Sequence, residues 1–427
     1  RDRSPSRGLG DVYKRQVYIY WVCLTIKRGE DRIRNRNNVV FIMEKLSCMV
    51  MIAIIILLSG CRTKPSGVSR CIHFDFTQEM KDVHTMGLLK DCTIVPLETN
   101  DSVLIGEIDK VIFYETRLYV ATFSPEQAVY IFNLQGKLLH KISRKGRGAE
   151  EYLQLSDMFI DSRNRTLNLL SRIDEKLLVF DVDEYRLVKT IRLPKAFVKM
   201  VSLENGYIGY MGNYSQDKNQ PYNLWAMNSR YEIESQYMKI DSRWESKMAS
   251  IHSLSTYQDS LYYIAPTDFN IYRCQGKDMC VDHTVRFGKF HLPAEQLSYD
   301  EYKEYTRNPD YITTIEKFQE TPDFYIYWVL AAGQNRLCLY NKNNRESQVC
   351  ELTAYTGKYF ISFGRMIDIT SDYIITSVSA SDMCTYLKGG NEYVNFEEKY
   401  PKQIQRMREE FSGIQEDSNP CIVIYSF

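Results

Sequence analysis

Ile108–Ser143 reads IDKVIFYETRLYVATFSPEQAVYIFNLQGKLLHKIS. Apolar and polar residues alternate over four short runs: Ile108–Glu115, Arg117–Phe123, Ala128–Leu134 and Lys137–Ser143. The breaks fall at Glu115-Thr116, Ser124-Pro125-Glu126 and Gln135-Gly136, where turn-forming residues interrupt the alternation. Four such strands make one antiparallel sheet, and the glycine-bearing loop Arg144–Tyr152 follows it.

Imperfect copies of this unit fill the rest of the chain. Four-strand sets are expected at Leu155–Leu193, Val198–Ile240, Met248–Phe287 and Ile312–Leu352. Their third strands mark the register. Ile131, Val179, Leu224 and Ile271 recur 45–48 residues apart, the spacing of propeller blades. Gly364–Thr370, Tyr373–Val378 and Cys421–Phe427 supply only three strands of a sixth set, and Thr93–Leu97 supplies the fourth. Joining the two chain ends in one sheet removes an open edge that would invite aggregation. The fold class is therefore all-β: a six-bladed β-propeller of four-stranded antiparallel blades with two helical insertions. The first insertion is a helix over Ala294–Arg307, with Tyr299, Tyr302 and Tyr305 at three-residue spacing. The second is a charged helix over Val394–Phe411, with Phe396, Tyr400, Ile404, Met407 and Phe411 forming an apolar docking stripe.

Charge narrows the partners. The 427 residues carry 54 basic and 54 acidic side chains. Such a balance gives no basic excess for tracking phosphates, so nucleic acid is not an expected partner. Tyrosine is frequent, at 32 residues, as suits half-buried strands and ligand-binding faces. The 11 cysteines include no Cys-x-x-Cys pair, and no zinc-type spacing with histidine occurs. Cys274 and Cys280, and likewise Cys338 and Cys350, sit symmetrically about hairpin turns. Disulfides across hairpins are geometrically demanding, so free buried thiols are expected there.

The N-terminal region carries an address. Met43, Glu44 and Lys45 precede the apolar run Leu46–Leu58, and Ser59-Gly60-Cys61 follows. A charged start, a short apolar core and small residues before a cysteine make a secretory signal peptide over residues 43–60. The run is short for a membrane span. Leu57-Leu58-Ser59-Gly60-Cys61 resembles a bacterial lipobox, which implies acylation of Cys61 and a membrane partner held through the lipid. Arg62–Arg70 is then a polar tether, within a lead-in over residues 61–92, and the propeller spans 93–427. Residues 1–42 do not fit in front of a signal peptide. Arg1–Gln16 resembles a translated adapter, so translation is expected to start at Met43.

Three motifs add a family resemblance. They are Ile94-Val95-Pro96-Leu97-Glu98 before the first blade, Lys145-Gly146-Arg147-Gly148 with Glu151-Tyr152 after it, and Asn419-Pro420-Cys421-Ile422-Val423 near the end. With these the chain resembles the six-bladed β-propeller lipoproteins of gut Bacteroidota over most of Thr93–Phe427. In those proteins the glycine loop usually continues Gly-Pro-Gly-Glu-Tyr, whereas here Ala149-Glu150 stands in place of Pro-Gly. The resemblance implies an exported, lipid-anchored propeller at the outer membrane, on its periplasmic or cell-surface side. It implies little about activity.

Signatures of chemistry are sparse. There is no nucleophile elbow, zinc-protease helix, phosphate loop, dinucleotide fingerprint or EF-hand pattern. No metal and no cofactor are expected. Gly146 and Gly148, flanked by Lys145 and Arg147, could cradle an anion, although permitting positive φ in a tight turn is the simpler role. His73, His84, His140, His252, His283 and His291 never pair at ligand spacing. Asp157 and Asp161 could serve as acid or base in a propeller mouth. In four-stranded antiparallel blades, joins from fourth strand to next first strand lie at the same end as joins from second to third. Arg144–Leu153, Leu292–Tyr311 and Asp382–Asn419 should therefore crowd one face. Binding tends to reside on loops held by a rigid scaffold. The expected function is binding of a ligand, glycan or peptide, or of a protein partner at that face, without catalysis. Candidate contacts are Arg147, Tyr299, Tyr302 and Tyr305. The alternatives are an exported hydrolase or lyase acting in the mouth, and a subunit of an outer-membrane complex.

Overall fold

The computed structural model describes residues 70–427, except 84–86, 248–251, 276–277, 293–296, 309, 332–333, 352, 356–357, 363 and 391–394. The signal peptide, Cys61 and nearly all of the polar tether lie outside the described residues. Ser69–Phe427 forms one compact unit.

Six antiparallel sheets follow one another. Blade 1 is Lys110–Tyr114, Arg117–Thr122, Ala128–Asn133 and Leu138–Ile142. Blade 2 runs from Leu155–Asp161 to Leu187–Arg192, and blade 3 from Lys199–Leu203 to Ile233–Lys239. Blade 4 runs from Leu254–Tyr257 to Asp278–Arg286, and blade 5 from Ile315–Glu320 to Ser347–Glu351. The inner strands of blades 1, 2 and 3 touch in turn, as do those of blades 4, 5 and 6, and blade 6 meets blade 1.

Packing explains the ring. Second and third strands are buried on both faces, as Arg117–Thr122 and Ala128–Asn133 show, because each blade is sandwiched between two others. Each interface has its own apolar cluster. Tyr119, Ile131, Met158 and Leu169 join blades 1 and 2. Phe159, Leu177, Phe197 and Trp225 join blades 2 and 3. Burying a side chain of this size contributes about 1.5–3 kcal/mol. The outermost pairing slips by one residue in each of blades 1 to 4, at Ile131/Phe132, Val179/Phe180, Ala226/Met227 and Ile271/Tyr272. Such bulges strengthen strand twist.

Blade 6 closes the ring as expected. Its strands are Arg365–Ile369, Tyr373–Val378, Cys421–Ser426 and Asp91–Pro96. Two of the three family-like motifs therefore pair with each other, Cys421 opposite Pro96 and Val423 opposite Ile94. Asn419 ties the closure. Its buried amide donates to Glu98 O at 2.6 Å and Val103 O at 2.7 Å, and its carbonyl accepts from Ile105 N at 2.7 Å. Gly136, with φ of 76°, turns against the same strand, and a Cβ there would lie 1.8 Å from Pro96 O.

Several elements depart from expectation. The described part of the lead-in is no mere linker: Arg70–His73 adds a parallel fifth strand to blade 4, and Lys81–Asp82 does so for blade 5. In the first insertion the described helix α1 is Tyr299–Tyr305, capped by Ser298 and Glu301 in a reciprocal box. The second insertion opens with a helix that strand-like residues concealed, α2 (Ala380–Leu387). The expected single helix is then split into α3 (Phe396–Lys399) and α4 (Pro401–Phe411). Pro401 lacks an N–H and restarts the helix at its first turn. Ile404, Met407 and Phe411 are buried against Met383, Ile374 and Val378, so the stripe does dock on the propeller.

Candidate functional site

The inner strands meet at a central channel, and each blade brings one ionisable residue to its mouth. They are Lys110, Asp157, Lys199, His252, Lys317 and Asp368 from blades 1 to 6 in order, His252 standing just ahead of its strand. In blades 2, 5 and 6 the pairing slips immediately before that residue, between Leu155/Asp157, Ile315/Lys317 and Met366/Asp368. A bulge re-aims the next side chain. In blades 1 and 3 the lysine is the first residue of the strand and needs no bulge.

The mouth holds a cavity of about 170 Å³. Five of the six ring residues line it, all but Lys317, together with Asp109, Ser156, Phe123, Val198 and Ile367. Lys110 Nζ pairs with Asp157 Oδ1 at 2.6 Å, and Lys317 Nζ with Asp368 Oδ1 at 2.5 Å. Backbone amides complete these carboxylates. Met200 N donates to Asp157 Oδ2 at 3.0 Å, and Ile369 N to Asp368 Oδ1 at 2.9 Å. Asp109 Oδ2 accepts from Phe123 N at 2.5 Å.

The electrostatics of the ring are strongly perturbed. Burial and repulsion from Lys110 and Lys317 pull the Lys199 ammonium down to about 7, against the attraction of Asp157 and Asp368. Burial, with Lys317 and Lys199 nearby, drives His252 to about 3, so its imidazole is neutral at neutral pH. Burial alone would raise Asp368, but Lys317 and Lys199 hold it at about 2. Burial raises Asp109. Among the described residues, no group of three or more His, Cys, Asp or Glu is placed to hold a metal ion.

The antiparallel pairing puts all three irregular segments, 144–153, 292–311 and 382–419, at the end where the inner strands begin. That end is also the one bearing the channel mouth, since Asp109, Val198 and Phe123 lie in the same kinds of join. The tyrosines of α1 divide. Tyr302 is buried edge-on against Trp244, at 5.2 Å, and its hydroxyl donates to Thr313 O at 3.4 Å. Packing occupies that ring, so it is not open to a ligand. Tyr299 is half-buried, with Lys247 Nζ 5.0 Å above its ring, and Tyr305 is exposed. Arg147 is exposed on its loop.

The glycine loop is a joint between blades 1 and 2. Glu151 Oε2 accepts from Gly148 N at 2.8 Å, so the chain's own carboxylate fills the anion cradle. Neither glycine has a left-handed φ. Close approach is what excludes a side chain at Gly146, where a Cβ would lie 1.9 Å from Glu151 Oε2. Tyr152 is fully buried, and its hydroxyl donates to Gln127 O at 2.6 Å.

Other candidates resolve in the same way. Asp161 lies at the far end of its strand from Asp157, fully buried and held by Arg163, Asn164 and Tyr207. His140 stacks on Tyr185, and buried His283 bridges Asp282 and Tyr327. Cys338 pairs with Val349 while Cys350 pairs with Leu337, a register one residue off symmetry. That offset sends the two thiols to opposite faces of the sheet. Cys274 and Cys280 are offset likewise, and none of the four takes part in a disulfide.

Fold and closure define a six-bladed β-propeller. The chain belongs to the family described as Domain of unknown function (DUF4934), whose model matches residues 71–426. No curated protein matches the chain. Among solved structures, a Bacteroides fragilis protein whose name calls it exported is 17% identical, with a TM-score of 0.63 over 83% of this chain and 98% of that one. The WD40 domain of Neurospora crassa Pan2 is 13% identical, with a TM-score of 0.38 over 63% of this chain and 71% of that one.

Proposed function

We propose that the protein is an exported, lipid-anchored propeller that binds a small ligand at the channel mouth, on the face that carries the insertions. The observation that carries this reading is the mouth itself: a cavity lined by ionisable residues from five blades, with inner-strand bulges that re-aim side chains toward it. Structural needs alone do not call for six such groups at one constriction, because buried charges cost stability unless paired. Tyr299, Tyr305 and Arg147 stand on the same face and extend the contact surface. The name of the Bacteroides fragilis structure and the segment 43–61 support export, and Cys61 is the proposed lipid attachment point. Binding is tested by titrating polar metabolites into the protein and into Asp157→Asn. Saturable binding lost in the variant supports the mouth, and equal binding by both refutes it. Palmitate labelling of wild type and not of Cys61→Ala tests the anchor.

A second reading has one observation in its favour. Lys199 titrates at about 7 beside a cavity, as a general base should. An exported hydrolase or lyase working in the mouth would turn over its substrate, and Lys199→Met would abolish that turnover. Ligand recovered unchanged after prolonged incubation rejects the enzyme.

A further inference from the structure

We propose that the channel mouth holds its ligand covalently and reversibly, as an imine between the Lys199 amine and the carbonyl carbon of a small aldehyde or ketone. This rests on the ligand-binding reading above and names the class of ligand.

The first argument is presentation. Lys199 opens the inner strand Lys199–Leu203 of blade 3 and lines the cavity. The backbone on both sides of it is fixed. Val198 N donates to Tyr210 O at 2.8 Å, and Met200 N donates to Asp157 Oδ2 at 3.0 Å. A reactive group carried on a strand is placed more reproducibly than one on a loop.

The second argument is the setting of the amine. Phe123, Val198 and Ile367 give the cavity apolar walls. Burial and the charges of Lys110 and Lys317 disfavour the ammonium, against the attraction of Asp157 and Asp368. Desolvation and neighbouring cations are the two devices that turn a lysine into an imine-forming nucleophile. With its midpoint at about 7, about half of the amine is neutral at pH 7, against roughly one in 3,000 for a lysine at 10.5. The reaction requires a neutral amine, not an isolated one. A neutral amine whose N–H donates to a neighbour keeps its lone pair for the carbonyl carbon.

The third argument is the supply of acid and base. The nitrogen lone pair attacks the carbonyl carbon, and the C=O π pair moves to oxygen. A proton passes from nitrogen to that oxygen, giving a carbinolamine. The C–N double bond then forms as the C–O bond breaks. Both amine protons end on the oxygen, which leaves as one water, and nothing is oxidised or reduced. Asp109, whose carboxyl is raised by burial, lines the same cavity as a proton donor. His252, neutral at pH 7, lines it as a proton acceptor. The volume sets the size. About 170 Å³ is below the roughly 300–1,000 Å³ of sites for drug-sized ligands, so the carbonyl compound is small.

The test is reductive trapping on the whole protein. Propanal or pyruvate is added with cyanoborohydride, which reduces an imine to a stable amine, and the adducts are located by peptide mass spectrometry. At pH 7 the adduct at Lys199 should grow at least about 10-fold faster than at exposed lysines such as Lys218 and Lys402 in the same sample. Its rate should level off above about pH 7, while the exposed lysines should keep gaining toward about pH 10. Lys199→Arg keeps a positive charge and removes the nucleophile, so the fast adduct should disappear. Trapping of propanal alone marks an aldehyde, and trapping of both probes extends the class to ketones. Either outcome supports the proposal. No adduct at Lys199, or one that forms no faster than at Lys218 and Lys402, overturns the imine. Metabolite binding that is lost in Asp157→Asn would then keep the mouth as a non-covalent site, so the two readings fail separately.

Discussion

The glycine loop and the channel mouth are both polar, both lie at one end of the disc, and they are opposites. At the loop, the glycine cradle is answered from within the chain. The amide of Gly148 meets Glu151, Lys176 Nζ donates to Gly148 O at 2.9 Å, and Tyr152 seals the joint. At the mouth, the pairs Lys110–Asp157 and Lys317–Asp368 leave a cavity between them, with Lys199 on its wall. A contiguous motif had only to join two neighbouring blades. The site had to be assembled by all six.

The largest effect should come from breaking a ring pair. Lys317 is 3% exposed and holds Asp368. Lys317→Met strands that carboxylate and should cost about 3–5 kcal/mol in chemical denaturation at neutral pH. The sign follows from linkage. Asp368 is depressed in the folded state to about 2, so its contribution is present above its unfolded value and is lost as pH falls through about 2. The deficit of the variant should therefore shrink as pH drops from about 4 toward about 2. A constant deficit would mean that the pair is not what Lys317 contributes.

Ring closure comes next. Asn419→Ala leaves Glu98 O, Val103 O and Ile105 N without their partner in a buried site. About 3 kcal/mol of stability should be lost. Ligand binding at the mouth should survive in the folded fraction, since Asn419 is not part of its lining. An unchanged melting temperature would show that the blade 6 strands alone close the ring.

The repeat was legible because alternation and period survive in the second and third strands, whose burial requires them. Ring closure by Thr93–Leu97 was legible for the same reason. The mouth was not. Its six residues stand about one repeat apart, each surrounded by unrelated neighbours, so no local pattern holds them. In blades 2, 5 and 6 a bulge shifts the parity just before the ring residue. An alternation that ignores bulges misplaces the faces of Asp157, Lys317 and Asp368. Aligning the first strands of all blades and asking which column is ionisable would have found the ring. The glycine pair was misread for the opposite reason: its local pattern suggests a tight turn of positive φ, while the carboxylate whose close approach demands glycine comes later in the loop. The hairpin cysteines were placed by symmetry, and a one-residue slip in register decided against their meeting.

Lys199 sharpens the contrast by its sign. Its amine is depressed from 10.5 to about 7 in the folded protein, so between those values the unfolded chain binds more protons. Wild type therefore gains stability as pH rises from about 7 toward 10.5, and below 7 it bears the full cost of burying a charge. Lys199→Met removes that cost. The variant should be more stable by about 2 kcal/mol at neutral pH, a value discounted for solvent reaching the amine through the cavity. The advantage should fade as pH approaches 10. A variant less stable than wild type at pH 7 would show that Lys199 is a structural partner in the ring.

The smallest effect belongs to the joint. A Cβ at Gly146 would lie 1.9 Å from Glu151 Oε2, a contact no folded chain keeps. The obstructing atom is the far end of a flexible, half-buried side chain, so Glu151 can swing away and the backbone can stay. What is lost is its hydrogen bond to Gly148 N, a charge-assisted contact open to water. Gly146→Ala should therefore cost about 1 kcal/mol, and Glu151→Gln about as much or less. In the double variant the two losses should not add, because both remove the same hydrogen bond. Binding at the mouth should be unchanged in all three. A variant of the joint that altered affinity would collapse the distinction between the two regions, and would mean that the blade 1–blade 2 spacing sets the geometry of Lys110 and Asp157.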